Sequence, residues 1–438
     1  MKNNLSRLIL ICSDIFVIFA SISIAYILRM NFDSEPEVFD NAYWMTVTNI
    51  YVYAIILVTF FNEKIYKFRF DFWQETRLVL RGLVISLVLT LSLLAVTKSI
   101  DDYSRFVVIA SFVFMGVFIP IIKNIMKKSL FKIGLWKREA EVCGNDNYTE
   151  QEVFGNSYLG YIYSIHASAK TIFIDTNNLS AKELQERLDV SLQENKEVLF
   201  IPLLQTYSFA NARIIELTNA RKNLIVLENS LLKISNILIK KISDIVLSTL
   251  LFPFFVLFFI IIVILIKKEE PKGSVFFKQK RMGQGGREFT CYKFRSMHED
   301  GEKTLEAYLK ENPDEIACYD EFHKYKNDPR ITKVGHFLRK TSLDELPQII
   351  NVLKGEMSLI GPRPYLPNER EKIGDKLDMV LAAKPGITGL WQVSGRNDVD
   401  FCSRVDMDVW YTRNWNLWLD LIILVKTIKV VLFRRGAC

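Results

Sequence analysis

The run IVLSTLLFPFFVLFFIIIVILI occupies residues 245–266 and carries no charged side chain. As an α-helix it would be about 33 Å long, enough to cross the hydrocarbon core of a bilayer. Lys241 precedes it and Lys267 follows it, so the positive-inside rule assigns both ends to the cytoplasmic side. Pro253 removes one helical hydrogen bond and favours a bend. These features predict a re-entrant helix–break–helix, whereas the alternative, a fifth span, would place residues 267–438 outside the cell.

Four further apolar stretches precede this run and are predicted to be transmembrane helices, at residues 8–28, 42–61, 82–97 and 106–122. The loop after the first stretch has one arginine and four acidic side chains, whereas the loop after the second has five basic side chains. The first loop is therefore predicted outside and the second inside. Six basic residues between 123 and 138 place the beginning of the remaining chain in the cytoplasm.

The composition supports a membrane protein. The chain has 438 residues, 50% of them apolar and 24% charged, which excludes a disordered chain and a collagen. Its six cysteines have no C-x-x-C spacing, so a zinc ribbon is not indicated. The formal net charge of +7 would suit nucleic acid or an anionic membrane. Because of the apolar runs, we predict membrane lipid as a partner and no nucleic acid.

The segment 139–230 is more polar and alternates short apolar runs with helical patterns. Strands are predicted at 171–175, 198–202 and 224–228, with helices at 180–195 and around 210–220, which is typical of a parallel sheet with crossover helices. The turn at 143–146 lacks the G-x-G-x-x-G pattern of a dinucleotide site. We interpret this segment as a structural or regulatory α/β domain.

The remaining chain contains three segments dense in basic, acidic and glycine residues. Residues 273–297 alternate apolar and polar side chains around Gly283, Gly285 and Gly286, which predicts a β-hairpin with a glycine turn. The other two segments are 336–364 and 384–397. Such density is unusual for residues that only pack a core.

An acidic pair, Asp344 and Glu345, lies in the second of these segments. Ser342 and Glu345 have the spacing of a capping box, which explains acidic residues in a first helical turn without any catalytic role. Arginine forks, however, bind phosphate oxygens, and two carboxylates can hold Mg²⁺ beside a diphosphate. The nearby basic residues are Arg339, Lys340, Arg363 and Arg396. The residues alone leave both phosphoryl transfer and a salt-bridged structural cluster open.

Three motifs resemble those of the bacterial sugar transferases, the monotopic phosphoglycosyl transferases: KFRSM (293–297), TSLDELPQIINVLKGEMSLIGPRP (341–364) and PGITGLWQVSGR (385–396). The layout is similar to the long-form undecaprenyl-phosphate galactose- or glucose-1-phosphate transferases. The resemblance implies transfer of a hexose 1-phosphate from a UDP-sugar to undecaprenyl phosphate, with release of UMP and with Mg²⁺ as cofactor. It implies the initiating step of polysaccharide synthesis, at the cytoplasmic face of the bacterial inner membrane.

The resemblance also implies roles for single residues. Asp344 would be the nucleophile that forms a phosphosugar-aspartate, Glu345 would assist at the metal or with the proton, and both would hold Mg²⁺. The implied substrate-binding residues are Lys293, Arg295, Arg339, Arg363 and Arg396. One feature departs from the family: the Ser-Pro pair that breaks the re-entrant helix in many members is replaced by residues 256–257, Val-Leu, about one turn beyond Pro253.

The predicted fold class is therefore a membrane protein of α plus α/β type. Four transmembrane helices occupy 1–138, a small Rossmann-like domain 139–230, and a mixed α/β catalytic domain 231–438, with re-entrant and interfacial helices. Trp410, Tyr411, Trp415 and Trp418 suit interfacial anchors, with core packing as the alternative. The resemblance suggests a homodimer through the middle domain and leaves the donor sugar open.

Two other function classes were weighed against the enzyme. A non-catalytic membrane scaffold that recruits polysaccharide assembly partners would need the acidic pair only as a helix cap. A transporter would be suggested by the four N-terminal spans alone, but their sequences show no paired charges within the membrane and Asp14 is interpreted as structural. The density of charged motifs after residue 272 favours the enzyme.

Overall fold

The structure, a computed structural model, divides the chain into two compact units, residues 1–205 and 206–438. The predicted boundaries at 138 and 230 stay predictions. The description covers the whole chain except residues 1, 32–48, 99–102, 144–148, 165–168, 177–178, 203–205, 210–211, 218–221, 300, 313–315, 317–327, 395–398 and 434–438.

The first unit begins with four apolar helices, Lys2–Met30 (α1), Ile50–Asn62 (α2), Phe72–Val96 (α3) and Arg105–Lys132 (α4). By length and composition α1, α3 and α4 can each cross a membrane, whereas the described part of α2 has 13 residues. The part of the second predicted span at 42–48 lies outside the described residues. Ile18, Phe60 and Met115 form the core between these helices.

Three buried ion pairs among Asp14, Glu75, Lys123 and Lys127 join the helices of this unit. Lys123 Nζ lies 2.7 Å from Asp14 Oδ2, and Lys127 pairs with Glu75. All four side chains are almost fully buried. The sequence did not reveal these pairs, because Glu75, Lys123 and Lys127 lie outside the predicted spans 82–97 and 106–122. The partners lie on different helices, and α3 begins at Phe72, ten residues before the predicted start, which brings Glu75 into the bundle.

A four-stranded parallel sheet follows, with strands Arg138–Cys143 (β1), Tyr161–Tyr163 (β2), Thr171–Asp175 (β3) and Glu197–Ile201 (β4) in the order β2-β1-β3-β4. A π-helical turn, Thr149–Phe154, lies between β1 and β2. The helix Ala181–Gln193 (α5) begins at a capping box of Ser180 and Glu183. The predicted order of strand, helix and strand over 171–202 is confirmed. The turn at 143–146 lies outside the described residues except for Cys143, and the Rossmann-like assignment stays a prediction.

The second unit opens with a hairpin where a helix was predicted. Arg213–Leu217 (β5) pairs antiparallel with Lys222–Val226 (β6), so the helix expected around 210–220 is wrong. Adjacent β-branched residues, Ile214 and Ile215, favour the strand. The run at 224–228, predicted as a strand of the parallel sheet, forms an arm of this hairpin.

The apolar run lies in one long helix, Ile234–Glu269 (α6), with Pro253 inside it. The break predicted at Pro253 is wrong, because a proline removes one hydrogen bond and bends a helix without having to end it. Ser248, Phe255 and Ile262 are buried at seven-residue spacing, so α6 packs along one stripe. Leu250 and Leu257 are exposed, as expected for an apolar surface facing lipid.

The rest of this unit surrounds a second hairpin. Strands Phe276–Met282 (β7) and Glu288–Phe294 (β8) pair antiparallel, and Gly285 and Gly286 form the turn with φ of +67° and +78°, so the predicted glycine turn is confirmed. Ser358–Ile360 (β9) pairs parallel with Gly386–Thr388 (β10). The helices are Gly301–Glu311 (α7), Lys333–Thr341 (α8), Ile349–Leu353 (α9), Arg370–Ile373 (α10), Leu377–Leu381 (α11), Leu390–Ser394 (α12), Phe401–Asn414 (α13) and Leu417–Phe433 (α14). Short 3₁₀ turns occur at Ser230–Leu232, Gln284–Gly286, Leu343–Gln348, Pro367–Glu369 and Gly374–Lys376.

Two of the predicted aromatic anchors are core residues. Tyr411 is fully buried and Trp415 nearly so, in a cluster with Leu359 and Ile423. Both donate hydrogen bonds to Asp420, from the Tyr411 hydroxyl at 2.7 Å and from Trp415 Nε1 at 3.0 Å. Their polar atoms find partners inside the protein, so these two rings do not need the membrane interface.

Candidate active site

The acidic pair lies where one helix ends and another begins. Helix α8 ends at Ser342, whose φ of +57° is left-handed, and the 3₁₀ helix Leu343–Gln348 follows with Asp344 and Glu345 in its first turn. The Ser342 side chain does not cap this helix, so the predicted capping box is wrong. A left-handed residue reverses the chain sharply, and Glu345 is thereby available for another partner.

That partner is Lys293 on β8. Its Nζ lies 2.6 Å from Glu345 Oε1, and each side chain is about one-quarter exposed, 25% and 27%. Burial alone would lower the pKa of Lys293, but the charges of Glu345 and Asp344 outweigh it and the pKa is raised. The fully buried Asn351 holds this part of β8, because it accepts from the Tyr292 amide at 3.2 Å and donates to the Thr290 carbonyl at 2.8 Å.

Asp344 is a carboxyl group held partly neutral by its surroundings. Burial and then the charge of Glu345 raise its pKa to about 6, although Lys293 and Arg339 oppose them. Arg339 reaches the site from α8 and donates from Nε to Ser296 Oγ at 2.9 Å. Burial lowers the pKa of Arg339, and the negative charge of Asp344 acts to raise it. The structure therefore brings Lys293, Arg339, Asp344 and Glu345 together, as predicted.

Arg281 on β7 belongs to the same neighbourhood and was missed from the sequence. It donates from Nη1 to the Pro364 carbonyl at 2.9 Å and from Nη2 to Gln279 Oε1 at 2.6 Å. Burial and then the charge of Arg363 lower its pKa, while the charge of Glu345 acts the other way. Arg281 is thus close enough to Arg363 and to Glu345 for both charges to affect its pKa. The alternation of the hairpin could have found it, because residues 277, 279 and 281 pair with 293, 291 and 289 and share a face with Lys293.

Arg363 follows β9 on a segment between two prolines. Its Nη2 lies 3.9 Å from Glu369 Oε1, and its guanidinium is 5.9 Å from the ring of Tyr365 and 5.8 Å from that of Trp391. The buried Arg404 lies 5.2 Å from the same Trp391 ring. The side chains around Arg363 are therefore aromatic and basic, and they were not identified from the sequence.

Two predicted binding residues are not placed with the acidic pair. Arg295 forms ion pairs with Glu299 at 3.2 Å and with Glu270 at 3.9 Å, beside Gly273 at the end of α6. Its guanidinium is therefore engaged at the helix end, and its role as a substrate-binding residue stays a prediction. Arg396 lies outside the described residues.

The acidic pair can hold a divalent cation only together with a substrate. Within the part of the chain that the structure describes, no group of three or more His, Cys, Asp or Glu side chains forms a metal site. Mg²⁺ is commonly bound by one or two carboxylates plus substrate phosphates and water. Burial and then the charge of Glu345 raise the pKa of Asp344, and a cation bound by the two carboxylates would oppose both effects. Two adjacent carboxylates are a donor set that suits Mg²⁺, and the cofactor stays a prediction.

Known proteins resemble the chain over most of its length. The model of the family described as "Bacterial sugar transferase" matches residues 235–434. The undecaprenyl-phosphate galactose phosphotransferase of Salmonella typhimurium is 34% identical over 420 residues, which cover 88% of this chain and 87% of that protein. The UDP-galactose-lipid carrier transferase of Erwinia amylovora is 32% identical over 477 aligned positions, which cover 100% and 98%.

A third relative matches about half of the chain. The UDP-glucose:undecaprenyl-phosphate glucose-1-phosphate transferase of Klebsiella pneumoniae is 35% identical over 239 residues, 53% of this chain and 48% of that protein. The match to the Erwinia amylovora protein covers the whole chain and so includes the apolar helices and the parallel sheet as well as the acidic pair. The chain therefore belongs to the bacterial sugar transferase family, as a member of the long form.

Proposed function

We propose that the protein transfers a hexose 1-phosphate from a UDP-hexose to undecaprenyl phosphate, giving an undecaprenyl-diphosphate-sugar and UMP. This reaction would initiate the synthesis of a polysaccharide such as an O-antigen, capsule or exopolysaccharide. The observation that carries the proposal is the 2.6 Å ion pair of Lys293 with Glu345 beside Asp344, whose pKa is raised to about 6. The relatives' names give the donor and acceptor classes.

The reaction would proceed in two balanced steps. In the first, an Asp344 carboxylate oxygen attacks the β-phosphorus of the UDP-hexose, the bond from that phosphorus to the bridging oxygen breaks, and UMP leaves with the electron pair. In the second, a phosphate oxygen of undecaprenyl phosphate attacks the same phosphorus and releases the Asp344 carboxylate. Asp344 and Glu345 would hold Mg²⁺, which would neutralise charge on the diphosphate.

The basic residues would hold the diphosphate while the acidic pair reacts. Lys293 fixes Glu345 and so directs the second carboxylate, and Arg339 favours the ionised form of Asp344. Arg363 can offer a fork to phosphate oxygens because it is fixed on a segment between two prolines. Positioning and charge stabilisation of this kind account for most of the catalysis of phosphoryl transfer.

We propose that α6 bends at Pro253 without interruption and returns to the side of the membrane from which it enters, and the contacts of its two ends support this path. Near its start, Asp244 accepts hydrogen bonds from the Leu359 amide at 3.1 Å and the Ser358 hydroxyl at 3.0 Å. At its end, Glu269 accepts from the amides of Lys333 and Val334 at 2.8 and 2.9 Å. Both ends thus bind elements of one folded domain, which can lie on only one side of a bilayer. We infer that this side is the cytoplasm of the bacterial inner membrane, where UDP-hexoses are soluble and meet the lipid phosphate.

UMP release tests the proposal. The purified full-length protein is incubated with undecaprenyl phosphate and, in turn, UDP-galactose, UDP-glucose and their N-acetylhexosamine counterparts. We expect UMP release with at least one donor and a loss of at least about 1,000-fold in Asp344→Asn. Asp375→Asn, at an exposed carboxylate outside the site, should match the wild type. UMP release from no donor would overturn the proposal and favour the non-catalytic scaffold.

A further inference from the structure

Asp408 is a carboxylate of α13 that has no part in the steps above. It is fully buried. Its Oδ2 accepts hydrogen bonds from the backbone amide of Arg363 at 3.1 Å and from the Tyr365 hydroxyl at 2.8 Å. Its Oδ1 is buried and finds no hydrogen-bond partner among the described residues. Burying a carboxylate oxygen without a hydrogen-bond partner costs free energy of folding, so the position of Asp408 calls for an explanation beyond packing.

The two hydrogen bonds restrain the segment that presents Arg363. Arg363 and Tyr365 flank Pro364, and Asp408 binds both from one helix. Arg281 adds a third restraint, because it donates to the carbonyl of Pro364. The guanidinium of Arg363 is 5.9 Å from the Tyr365 ring, so orienting that ring also limits where the guanidinium can lie.

We propose that Asp408 is a positioning residue for the donor diphosphate and acts through Arg363, an inference that rests on the proposed function. It holds the Arg363 backbone and the Tyr365 ring so that the guanidinium fork is already in place when the UDP-hexose arrives. Fixed donors of this kind lose little conformational entropy on binding. The acceptor lipid, whose phosphate arrives from the membrane after UMP has left, depends less on this fork.

The cost of keeping Asp408 agrees with a functional role. Burial raises the pKa of this carboxyl to about 7, against the opposing effects of the Arg363 amide, the Tyr365 hydroxyl and the Arg363 charge. Ionisation of Asp408 therefore destabilises the folded state progressively between pH 3.8 and about 7 and by a constant amount above. Active sites commonly retain residues that a search for stability alone would remove.

Three variants separate the hydrogen bonds from helix packing. Asp408→Ala removes both acceptors, Asp408→Asn keeps one oxygen that can accept, and Asp406→Ala is the control. Asp406 lies on the same helix, is exposed and pairs with Lys376. We expect Asp408→Ala to raise the KM for the UDP-hexose by about tenfold and the KM for undecaprenyl phosphate by less than about twofold. Asp408→Asn should stay within about threefold of the wild type and Asp406→Ala should match it.

A double-mutant cycle tests whether Asp408 acts through Arg363. If it does, adding Asp408→Ala to Arg363→Ala should raise the donor KM by less than about twofold beyond Arg363→Ala alone. Losses that multiply would overturn the proposal, and so would equal rises in KM for both substrates. Should Asp408→Ala fail to fold, Asp408→Asn carries the test, and a tenfold rise in its donor KM would contradict the role of the hydrogen bonds.

Amide hydrogen exchange provides a measurement that does not require activity. The peptide containing residues 361–365 should exchange at least about tenfold faster in Asp408→Ala than in the wild type, and no faster in Asp406→Ala. Unchanged exchange would refute the positioning role even if transfer is observed. Faster exchange in a protein that releases no UMP from any donor would instead refute the proposed function and leave the restraint on Arg363 established.

Discussion

Lys293 Nζ lies 2.6 Å from Glu345 Oε1, and this ion pair joins the β7–β8 hairpin to the 3₁₀ helix that carries Asp344. The ion pair gives the two adjacent carboxylates different electrostatic surroundings. Glu345 is bound to a lysine, whereas Asp344 has a pKa raised to about 6. Two neighbouring carboxylates in different electrostatic settings can take different roles. The proposed function gives the role of nucleophile to Asp344, as the family resemblance implies.

The pH dependence of transfer should show this difference between Asp344 and Glu345. The nucleophile acts as a carboxylate, so kcat/KM for the donor should fall as the pH decreases below about 6. Glu345→Gln removes a charge that raises the pKa of Asp344 and should move the acidic limb to lower pH. Lys293→Met removes a charge that lowers it and should move the limb to higher pH. Lys280→Met, on the exposed side of the hairpin, should leave the limb in place, and shifts of the opposite sign would contradict the assignment.

The raised pKa of Asp344 also predicts that its ionised carboxylate lowers the stability of the wild-type protein. The folded protein prefers Asp344 protonated, so its ionisation destabilises the fold progressively between pH 3.8 and about 6 and by a constant amount above. Asp344→Asn should therefore unfold at a temperature a few degrees higher than the wild type at pH 7.5, and the difference should shrink towards pH 4. Thermal unfolding in detergent micelles measures this. A lower midpoint for Asp344→Asn at pH 7.5 would show that the carboxylate is stabilising.

The buried ion pairs of the first unit should matter for stability. Lys123→Met leaves Asp14 buried without its ammonium partner at 2.7 Å and should destabilise this unit by about 3–5 kcal/mol. The double variant Asp14→Asn/Lys123→Met should recover part of that loss. Lys128→Met, one residue from Lys127 but exposed, is the matched control and should change unfolding by less than about 0.5 kcal/mol. Equal effects at positions 123 and 128 would contradict the structural role.

The re-entrant path of α6 predicts which side exposes residues just after it. Lys272→Cys, in a variant without native cysteines, should resist a membrane-impermeant maleimide in intact cells and react once the cells are permeabilised. Asp33→Cys, in the loop predicted outside, should react in intact cells. Labelling of position 272 in intact cells would show a fifth span, and it would place Asp344 in the compartment that lacks UDP-hexoses.

The sequence predicted the parts of the fold whose signal is local. The strands at β3, β4, β7 and β8 follow from β-branched runs and glycine turns, and the acidic pair was found from its motif. The prediction of a helix around 210–220 is wrong because a segment of about eleven residues carries too little periodicity to separate helix from strand. The prediction of a break at Pro253 is wrong because a helix can continue through a proline that removes only one of its hydrogen bonds.

Contacts between distant segments could not be predicted in this way. The partners of Lys123 and Lys127 lie on other helices, and Asp408 meets Arg363 only because α13 packs beneath the segment after β9. Ser342 and Glu345 had the spacing of a capping box, but the partner of Glu345 is Lys293, 52 residues away. Spacing along the sequence indicates which side chains could pair, and tertiary packing determines which of these pairs form.

Trapping of the covalent intermediate tests the central claim most directly. The full-length protein is incubated with a UDP-hexose that supports UMP release, without undecaprenyl phosphate, and is quenched, digested and analysed by mass spectrometry. We predict one hexose-phosphate on the peptide that contains Asp344, its absence in Asp344→Asn, and its loss from the wild type when undecaprenyl phosphate is added. UMP release that leaves no adduct, or an adduct on a different residue, would contradict the account.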